Sequence, residues 1–295
     1  MPSASHELSP TVTLPNGVEI PRLGFGVYQI PDANQCTQAV EDAIDAGYRL
    51  IDTAASYYNE QAVGRGIAHA LERGAATRDE LFVATKVWVQ DAGYAATMGA
   101  FETSLAKLGL DYLDLYLIHQ PLSDYYGSWR ALEELYRAGR IRAIGVCNFG
   151  EERLADLCLG SRIAPMIDQV EIHPFCQRAG LLATMREFGV QAQAWGPFAE
   201  GRHGLFENPV LTEIGAAHGK STAQVALRWN LQLGNVVLAK STHAERMREN
   251  AAIWDFSLSE DEMARIAALD TGNSAFIGHA SVESVRMRYV VKVHE

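Results

Sequence analysis

Short apolar runs alternate with amphipathic stretches along most of the chain. Eight runs have the β-branched character of buried strands: LGFGV, YRLID, LFVATK, YLDLYLIH, IRAIGV, MIDQVEI, VQAQAW and VVLAKS. Between them, stretches such as NQCTQAVEDAIDAG, EQAVGRGIAHALERG and WRALEELYRAG repeat their apolar residues with the period of a helix. Strands and helices that alternate in this way predict a parallel sheet covered by helices.

The number of strands selects the type of sheet. Eight strands with about as many helices predict a (β/α)8 TIM barrel. The rival is an open doubly wound sheet, which normally carries G-x-G-x-x-G after its first strand. The nearest match, GFGVYQ from Gly24, lacks the third glycine, so the barrel is the favoured architecture.

Both ends of the chain depart from the repeat. The segment VTLPNGVEIP alternates around Asn16-Gly17, a pair typical of a two-residue type I′ turn, and predicts a β-hairpin at about 11–21. The barrel is expected over about 22–270, and a tail over 271–295 that can fold over one mouth. No shift in composition marks a linker, so we predict a single domain over 1–295.

Composition narrows the class of partner. Of the 295 residues, 48% are hydrophobic, and the net charge of −11 comes without a basic stripe, which argues against nucleic acid. Four scattered cysteines, no apolar run near the ~18 residues of a membrane span and no secretory signal predict a cytoplasmic protein away from membranes. The sequence contains no H-x-H or H-E-x-x-H pattern, so it does not predict a metal site.

Polar residues at the ends of the apolar runs are the candidate chemistry, because barrel active sites lie at the carboxyl ends of the strands. Three successive runs end on Asp52, Lys86 and His119, and Tyr57 follows Asp52 in the next loop. Alone, these residues would be read as an ion pair, a core histidine and a packing tyrosine. Their coincidence at neighbouring strand ends favours an active site.

These four side chains suit the conversion of a carbonyl group to an alcohol. Asp52 would keep Lys86 protonated, and the ammonium group would lower the pKa of Tyr57 from its usual value of about 10. Tyr57 would then donate a proton near neutral pH, while His119 holds the substrate oxygen.

Several motifs resemble the aldo-keto reductase superfamily, and more closely its bacterial branch that includes 2,5-diketogluconate reductases. They are IDTAASYYNEQAVG, TKVW, LIHQP, AIGVCNF, QVEIHP and AKSTHAERMREN, and the likeness runs from the Asn16-Gly17 hairpin to about Asp270. The resemblance implies that Asp52, Tyr57, Lys86 and His119 are catalytic. It makes Tyr57 the proton donor and leaves its neighbour Tyr58 as packing.

The resemblance also implies an NADPH cofactor across the barrel mouth. The residues that match cofactor-binding positions are Asn148, Gln169, Trp195, Gly196, Lys240, Ser241, Arg246, Glu249 and Asn250. Thr242 and Glu245 have capping-box spacing, which predicts a helix start suited to a 2′-phosphate. Cys147 replaces a serine that is common in the family. The residues expected to line the substrate pocket are Tyr28, Trp88 and Gln120.

The sequence therefore predicts an NADPH-dependent reductase of small aldehydes or ketones, of the dicarbonyl or keto-sugar type. A non-catalytic NADPH-binding regulatory subunit on the same fold is the alternative. A barrel glycosidase would need two facing carboxylates. Glu171 and Asp52 are the candidates, and Lys86 already partners Asp52.

Overall fold

The computed structural model describes residues 9–276, 278 and 281–294. All eight predicted strands form, preceded by two short strands of the hairpin. In chain order they are β1 (Thr11–Thr13), β2 (Glu19–Pro21), β3 (Leu23–Gly26), β4 (Leu50–Asp52), β5 (Phe82–Val87), β6 (Leu113–Ile118), β7 (Ile141–Cys147), β8 (Ile167–Glu171), β9 (Gln191–Trp195) and β10 (Val236–Ala239).

Helices connect the strands and surround them. They are α1 (Ala33–Asp45), α2 (Glu60–Glu72), α3 (Tyr94–Leu108), α4 (Tyr125–Arg137), α5 (Glu151–Gly160), α6 (Ala179–Glu187), α7 (Pro209–His218), α8 (Thr222–Gln232), α9 (Ala244–Ala251), α10 (Glu260–Ala267) and α11 (Val282–Val290). Short 3₁₀ segments lie at Ala55–Tyr57, Arg78–Glu80 and Val89–Asp91, and the stretch Ala199–Glu207 is a loop whose central residues 200–204 are not helical. Within the described residues, no helix combines the length and the apolar character needed to cross a membrane.

Strands β3 to β10 close into a parallel barrel. Each pairs with its neighbour in chain order, and β10 returns to pair with β3. Every residue of β5 and β6 is buried, because one face of each strand lines the barrel interior and the other lies under helices. The predicted (β/α)8 TIM barrel is confirmed, and the doubly wound alternative is wrong.

The N-terminal hairpin forms with a different turn from the one predicted. Strands β1 and β2 are antiparallel, with Val12 opposite Ile20. The N–H of Gly17 donates to the carbonyl of Leu14, and within this turn only Gly17 has a positive φ, of +83°. Pro15 explains the difference, because its fixed φ favours the first central position of a type I turn, with glycine as the following residue.

The strand register gathers the predicted polar residues at one end of the barrel. Asp52 ends β4, Lys86 lies one residue before the end of the adjacent β5, and His119 follows the next strand, β6. The N–H of His119 donates to the carbonyl of Val87 at 3.1 Å, which holds the chain at that height. Three neighbouring strands thus present their polar residues to the same mouth.

A buried acid on β8 lacks a conventional partner. Asp168 is fully buried, and neither carboxyl oxygen has a hydrogen-bond partner of normal geometry among the described residues. Burial raises the pKa of Asp168 well above its usual value, and the backbone N–H of Phe149 offsets only part of this effect. Above the ordinary pKa of an aspartate there is therefore a pH range in which Asp168 is protonated in the folded protein and ionised in the unfolded chain.

We expect Asp168→Asn to stabilise the protein in a pH-dependent way. A raised pKa in the folded state contributes stability that is complete below the unfolded pKa near 4 and is lost as the pH rises. The variant should therefore unfold a few degrees above the parent at pH 8 and gain less at pH 4.5. Thermal unfolding followed by circular dichroism measures this. An equal shift at both pH values would contradict the assignment of a protonated Asp168.

Candidate functional site

A buried ion pair lies at the centre of the barrel mouth. Lys86 is 0% exposed, and its ammonium group donates to Asp52 Oδ1 at 2.6 Å, to the carbonyl of Thr53 at 2.9 Å and to Tyr57 Oη at 3.4 Å. The second Asp52 oxygen accepts a bond of 2.8 Å from the Gln169 amide. Each of the three ammonium protons and both carboxylate oxygens therefore have a partner.

The loop after β4 brings Tyr57 to Lys86. One turn of 3₁₀ helix, Ala55–Tyr57, follows the strand and reverses the chain. Asn59 fixes this turn, since its side chain accepts from the Thr53 hydroxyl at 2.8 Å and donates to the carbonyl of Val27 at 2.9 Å. The D-T-A-x-x-Y-x-N spacing of the sequence thus allows the asparagine to hold the turn that carries Tyr57.

The pKa of Tyr57 is shifted in the direction opposite to the one predicted from the sequence. Burial first, and then the negative charge of Asp52, raise the pKa of Tyr57 well above its usual value near 10. The prediction that Lys86 lowers this pKa is wrong. Asp52 lies closer to Lys86 than Tyr57 does and neutralises its charge, and a buried phenolate is costly to form. Tyr57 therefore holds its proton throughout the physiological range.

Aromatic rings enclose the Tyr57 hydroxyl and the imidazole of His119. The Tyr28 ring lies 4.9 Å from the Tyr57 ring, and the Trp88 ring meets His119 edge-on at 5.0 Å. His119 Nδ1 is 3.3 Å from the hydroxyl of Ser56. The structure brings the predicted pocket residues Tyr28 and Trp88 to the four polar residues. Gln120, which follows His119, is buried.

A second polar group lies across the mouth at the ends of β7, β8 and β9. The Trp195 indole donates to Asn148 Oδ1 at 3.0 Å, and the Asn148 amide donates to the carbonyl of His119 at 3.1 Å. Gln169, besides its bond to Asp52, donates to Gln193 at 2.9 Å. The Cys147 thiol lies 3.7 Å from Gln169 Oε1, and burial raises its pKa well above its usual value. Hydrogen bonds therefore connect this group to the ion pair.

The start of α9 differs from the capping box predicted from Thr242 and Glu245. The helix begins one residue later, with His243 as its N-cap and no side-chain cap among the described residues. The hydroxyl of Ser241 instead accepts from the N–H of His243 at 3.0 Å. The predicted capping box is therefore wrong, and the first amide groups of α9 are left without a side-chain acceptor.

The other predicted residues of this region lie on α9 or just before it. Lys240, Arg246 and Glu249 are exposed, whereas Ser241 and Asn250 are buried. Lys240 precedes α9 and Arg246 lies in its first turn, so two exposed cations flank the uncapped amide groups along the chain. Such an arrangement is suited to a phosphate group.

Two segments cover the rim beside Trp195. Gly196 has φ +63°, and a side chain there would meet the Phe276 ring at 3.5 Å. Arg202, in the loop Ala199–Glu207, donates to the carbonyl of Ala275 at 3.0 Å and lies over the Phe276 ring at 4.8 Å. Glu200 accepts from Gln29 at 3.2 Å, which ties the segment to the loop after β3.

Glu171 anchors the beginning of the tail. Its buried carboxylate accepts from the Ser274 hydroxyl at 2.6 Å, the Ala275 N–H at 2.8 Å and Arg178 at 3.1 Å, and lies 2.9 Å from His173. Burial alone would raise its pKa, but the contacts with His173, Ser274 and Ala275 hold the pKa of Glu171 below its usual value. A carboxylate so fully engaged is unsuited to the glycosidase role considered above.

The end of the tail crosses the mouth as a C-terminal strap, defined as Val291 to His294. Tyr58 Oη donates to the carbonyl of Lys292 at 2.8 Å, and Trp88 Nε1 donates to that of Val291 at 3.1 Å. Gln90 accepts from the N–H of Val293 at 2.7 Å. The predicted tail over the mouth is present, and the interpretation of Tyr58 as packing is wrong, because it is an exposed hydrogen-bond donor to the strap.

Sequence patterns did not reveal several of these residues. Gln193 and Arg202 bind partners far along the chain, and the only signal for Tyr58 was its place beside Tyr57. In the residues that the structure describes, no group of three or more histidine, cysteine, aspartate or glutamate side chains is arranged to hold a metal ion.

Comparison with known proteins assigns the family. The model of the Aldo/keto reductase family matches residues 22–271. Glyoxal reductase of Bacillus subtilis is 50% identical over 264 residues, which are 89% of this chain and 94% of that protein. Morphine 6-dehydrogenase of Pseudomonas putida is 44% identical over 278 residues, covering 90% and 92% of the two chains.

A solved structure agrees in fold. The aldo-keto reductase of Bombyx mori in complex with NADP superimposes with a TM-score of 0.89, at 33% identity, over 95% of this chain and 97% of the other. The chain therefore belongs to the aldo/keto reductase family, an oxidoreductase family. The finer resemblance to 2,5-diketogluconate reductases remains a prediction.

Proposed function

We propose that this protein reduces small aldehydes or ketones, of the dicarbonyl or keto-sugar type, to alcohols with NADPH, as an alcohol:NADP⁺ oxidoreductase. The observation that carries the proposal is the contact chain Asp52–Lys86–Tyr57, with steps of 2.6 and 3.4 Å at an aromatic-lined mouth. The relative named glyoxal reductase supports a small dicarbonyl as substrate.

The proposed roles follow from the state of each group. Bound NADPH would supply a hydride to the carbonyl carbon. Tyr57, which is neutral because its pKa is raised, protonates the oxygen. Lys86 lies within hydrogen-bond distance of the Tyr57 oxygen and offsets the negative charge left there after proton transfer. Asp52 keeps Lys86 in place, and His119 orients the carbonyl oxygen.

The residues across the mouth fit a nicotinamide. Trp195 offers a flat ring whose orientation is fixed by its bond to Asn148, and Asn148 and Gln169 offer amides to a carboxamide. The uncapped start of α9, with Lys240, Ser241 and Arg246, fits the phosphate of an adenosine ribose, and Glu249 and Asn250 lie farther along the same helix. The whole chain has a net charge of −11, so a local pair of cations is unusual and indicates an anionic ligand. We therefore infer that NADPH, which carries the 2′-phosphate, is the preferred cofactor.

A non-catalytic NADPH-binding subunit is the second candidate, because cofactor residues alone would serve it. The fully bonded ion pair at Tyr57 favours the enzyme. A binding subunit has no need of a buried charge pair, which is costly to desolvate and must be offset by many hydrogen bonds. Consumption of NADPH with glyoxal or methylglyoxal discriminates between the two candidates.

Replacing the proton donor should remove turnover and spare cofactor binding. We expect Tyr57→Phe to lower kcat for methylglyoxal by about a hundredfold to ten-thousandfold, the usual worth of general acid catalysis. Quenching of tryptophan fluorescence should report unchanged NADPH affinity. Tyr94→Phe is the matched control, because the Tyr94 hydroxyl binds Glu134, remote from the mouth. Comparable rates in Tyr57→Phe and the parent would refute the assigned role.

Cofactor preference should depend on Arg246. We expect Arg246→Ala to raise KM for NADPH by about tenfold or more, since it removes a charged donor to a phosphate, and to change KM for NADH little. Arg248→Ala serves as control, because Arg248 is an exposed arginine of the same helix. If KM for both cofactors changes equally in Arg246→Ala, the 2′-phosphate assignment is wrong.

A further inference from the structure

A buried glutamine, Gln193, supports the proposed nicotinamide site from inside the barrel. It lies in the middle of β9, is 0% exposed, and stands opposite Gln169 of β8 in the strand register. Its Oε1 accepts a hydrogen bond of 2.9 Å from the Gln169 amide. Gln193 therefore contacts a residue of the proposed cofactor site without being exposed at the mouth itself.

The Asp52 carboxylate determines which end of the Gln169 amide points where. A carboxylate can only accept hydrogen bonds, so the group 2.8 Å from Asp52 Oδ2 is the NH2 of Gln169. The second proton of that NH2 is directed to Gln193. With both protons engaged, Gln169 Oε1 points to the other side, where the Cys147 thiol lies at 3.7 Å. Gln169 thus offers an acceptor oxygen on the side of Cys147 and its neighbour Asn148.

This orientation depends on Gln193 as well as on Asp52. Asp52 selects the NH2 end of the amide, but one hydrogen bond leaves the amide able to rotate about it. Without an acceptor at Gln193, the second N–H would be buried and unpaired, which is costly. Rotation toward the Cys147 sulfur would pair that N–H and would move Gln169 Oε1 away from its place.

The stability of the barrel alone does not explain a glutamine at this position. In the part of the chain that the structure describes, Gln193 Nε2 has no hydrogen-bond partner. A buried amide with only part of its hydrogen-bonding capacity filled is costly compared with an apolar side chain of the same size. The bond to Gln169 is therefore the feature that accounts for Gln193.

We propose that Gln193 is a positioning residue for the cofactor, which holds the Gln169 amide so that its Oε1 accepts from the N–H of the nicotinamide carboxamide. The inference rests on the proposed NADPH site and adds a residue that does not touch the cofactor. It also predicts which part of the carboxamide is recognised. The 3-acetylpyridine analogue of NADP⁺ carries a methyl group in place of the NH2, so it lacks the donor that Gln169 would bind.

Binding of NADP⁺ and of this analogue, measured by quenching of tryptophan fluorescence, tests the inference without turnover. The parent should bind NADP⁺ about threefold to tenfold more tightly than the analogue, as for one neutral hydrogen bond. Gln193→Met, which keeps the length of the side chain but removes the acceptor, should weaken NADP⁺ binding by about the same factor and change binding of the analogue by less than about twofold. Gln193→Glu, which keeps an acceptor oxygen at that position, should retain the parent's preference.

Gln191→Met is the matched control. Gln191 lies on the same strand, and its amide donates to the carbonyls of Ala192 and Gly234, so its replacement should leave the preference unchanged. If Gln193→Met weakens both ligands equally or neither, the inference is overturned, as it is by a parent that binds both ligands equally.

A second variant covers the case in which Gln193→Met does not fold. Gln193→Asn keeps a buried amide but withdraws its oxygen by about the 1.5 Å length of one carbon–carbon bond, so it should lose the preference for NADP⁺ in the same way. A preference that persists in Gln193→Asn would then overturn the inference. A parent that binds neither ligand would instead refute the proposed cofactor site.

Discussion

The buried ion pair between Asp52 and Lys86 is the constraint on which the site depends. Two charges removed from water are costly unless their remaining hydrogen-bonding capacity is filled. Here the carbonyl of Thr53, the amide of Gln169 and the hydroxyl of Tyr57 fill it. Tyr57 is therefore one of the partners that complete the pair, which ties the proposed proton donor to the stability of the barrel mouth.

The barrel makes this arrangement possible because parallel strands deliver their carboxyl ends to one place. Each strand from β3 to β10 has a candidate site residue within two residues of its end, and each strand neighbours the next in the closed sheet. The hydrogen-bonded path from Lys86 through Asp52 to Gln169 crosses from β5 to β8. The proposed acid and the proposed cofactor site are thus physically connected.

Much of this could be predicted from the sequence. Buried parallel strands are apolar on both faces, so a polar residue at a strand end such as Asp52 or His119 is conspicuous. Other features depend on contacts that no local pattern encodes. The acidity of Tyr57 is set by burial and by Asp52, and the Tyr58–Lys292 bond joins residues 234 positions apart. In the hairpin, Pro15 favours a different turn from the one that the Asn16-Gly17 pair predicts. At α9, Ser241 accepts the hydrogen bond from His243, and the capping box predicted from Thr242 and Glu245 does not form.

The most direct test of the account is the ionisation of Tyr57 itself. Phenolate absorbs in the near ultraviolet, so the difference between the parent and Tyr57→Phe during a pH titration isolates this one hydroxyl. The account predicts that no Tyr57 phenolate forms below about pH 10, because burial and Asp52 hold the pKa above the usual value. A Tyr57 phenolate that forms between about pH 7 and 9 would contradict it, and would mean that the ammonium group of Lys86 outweighs burial.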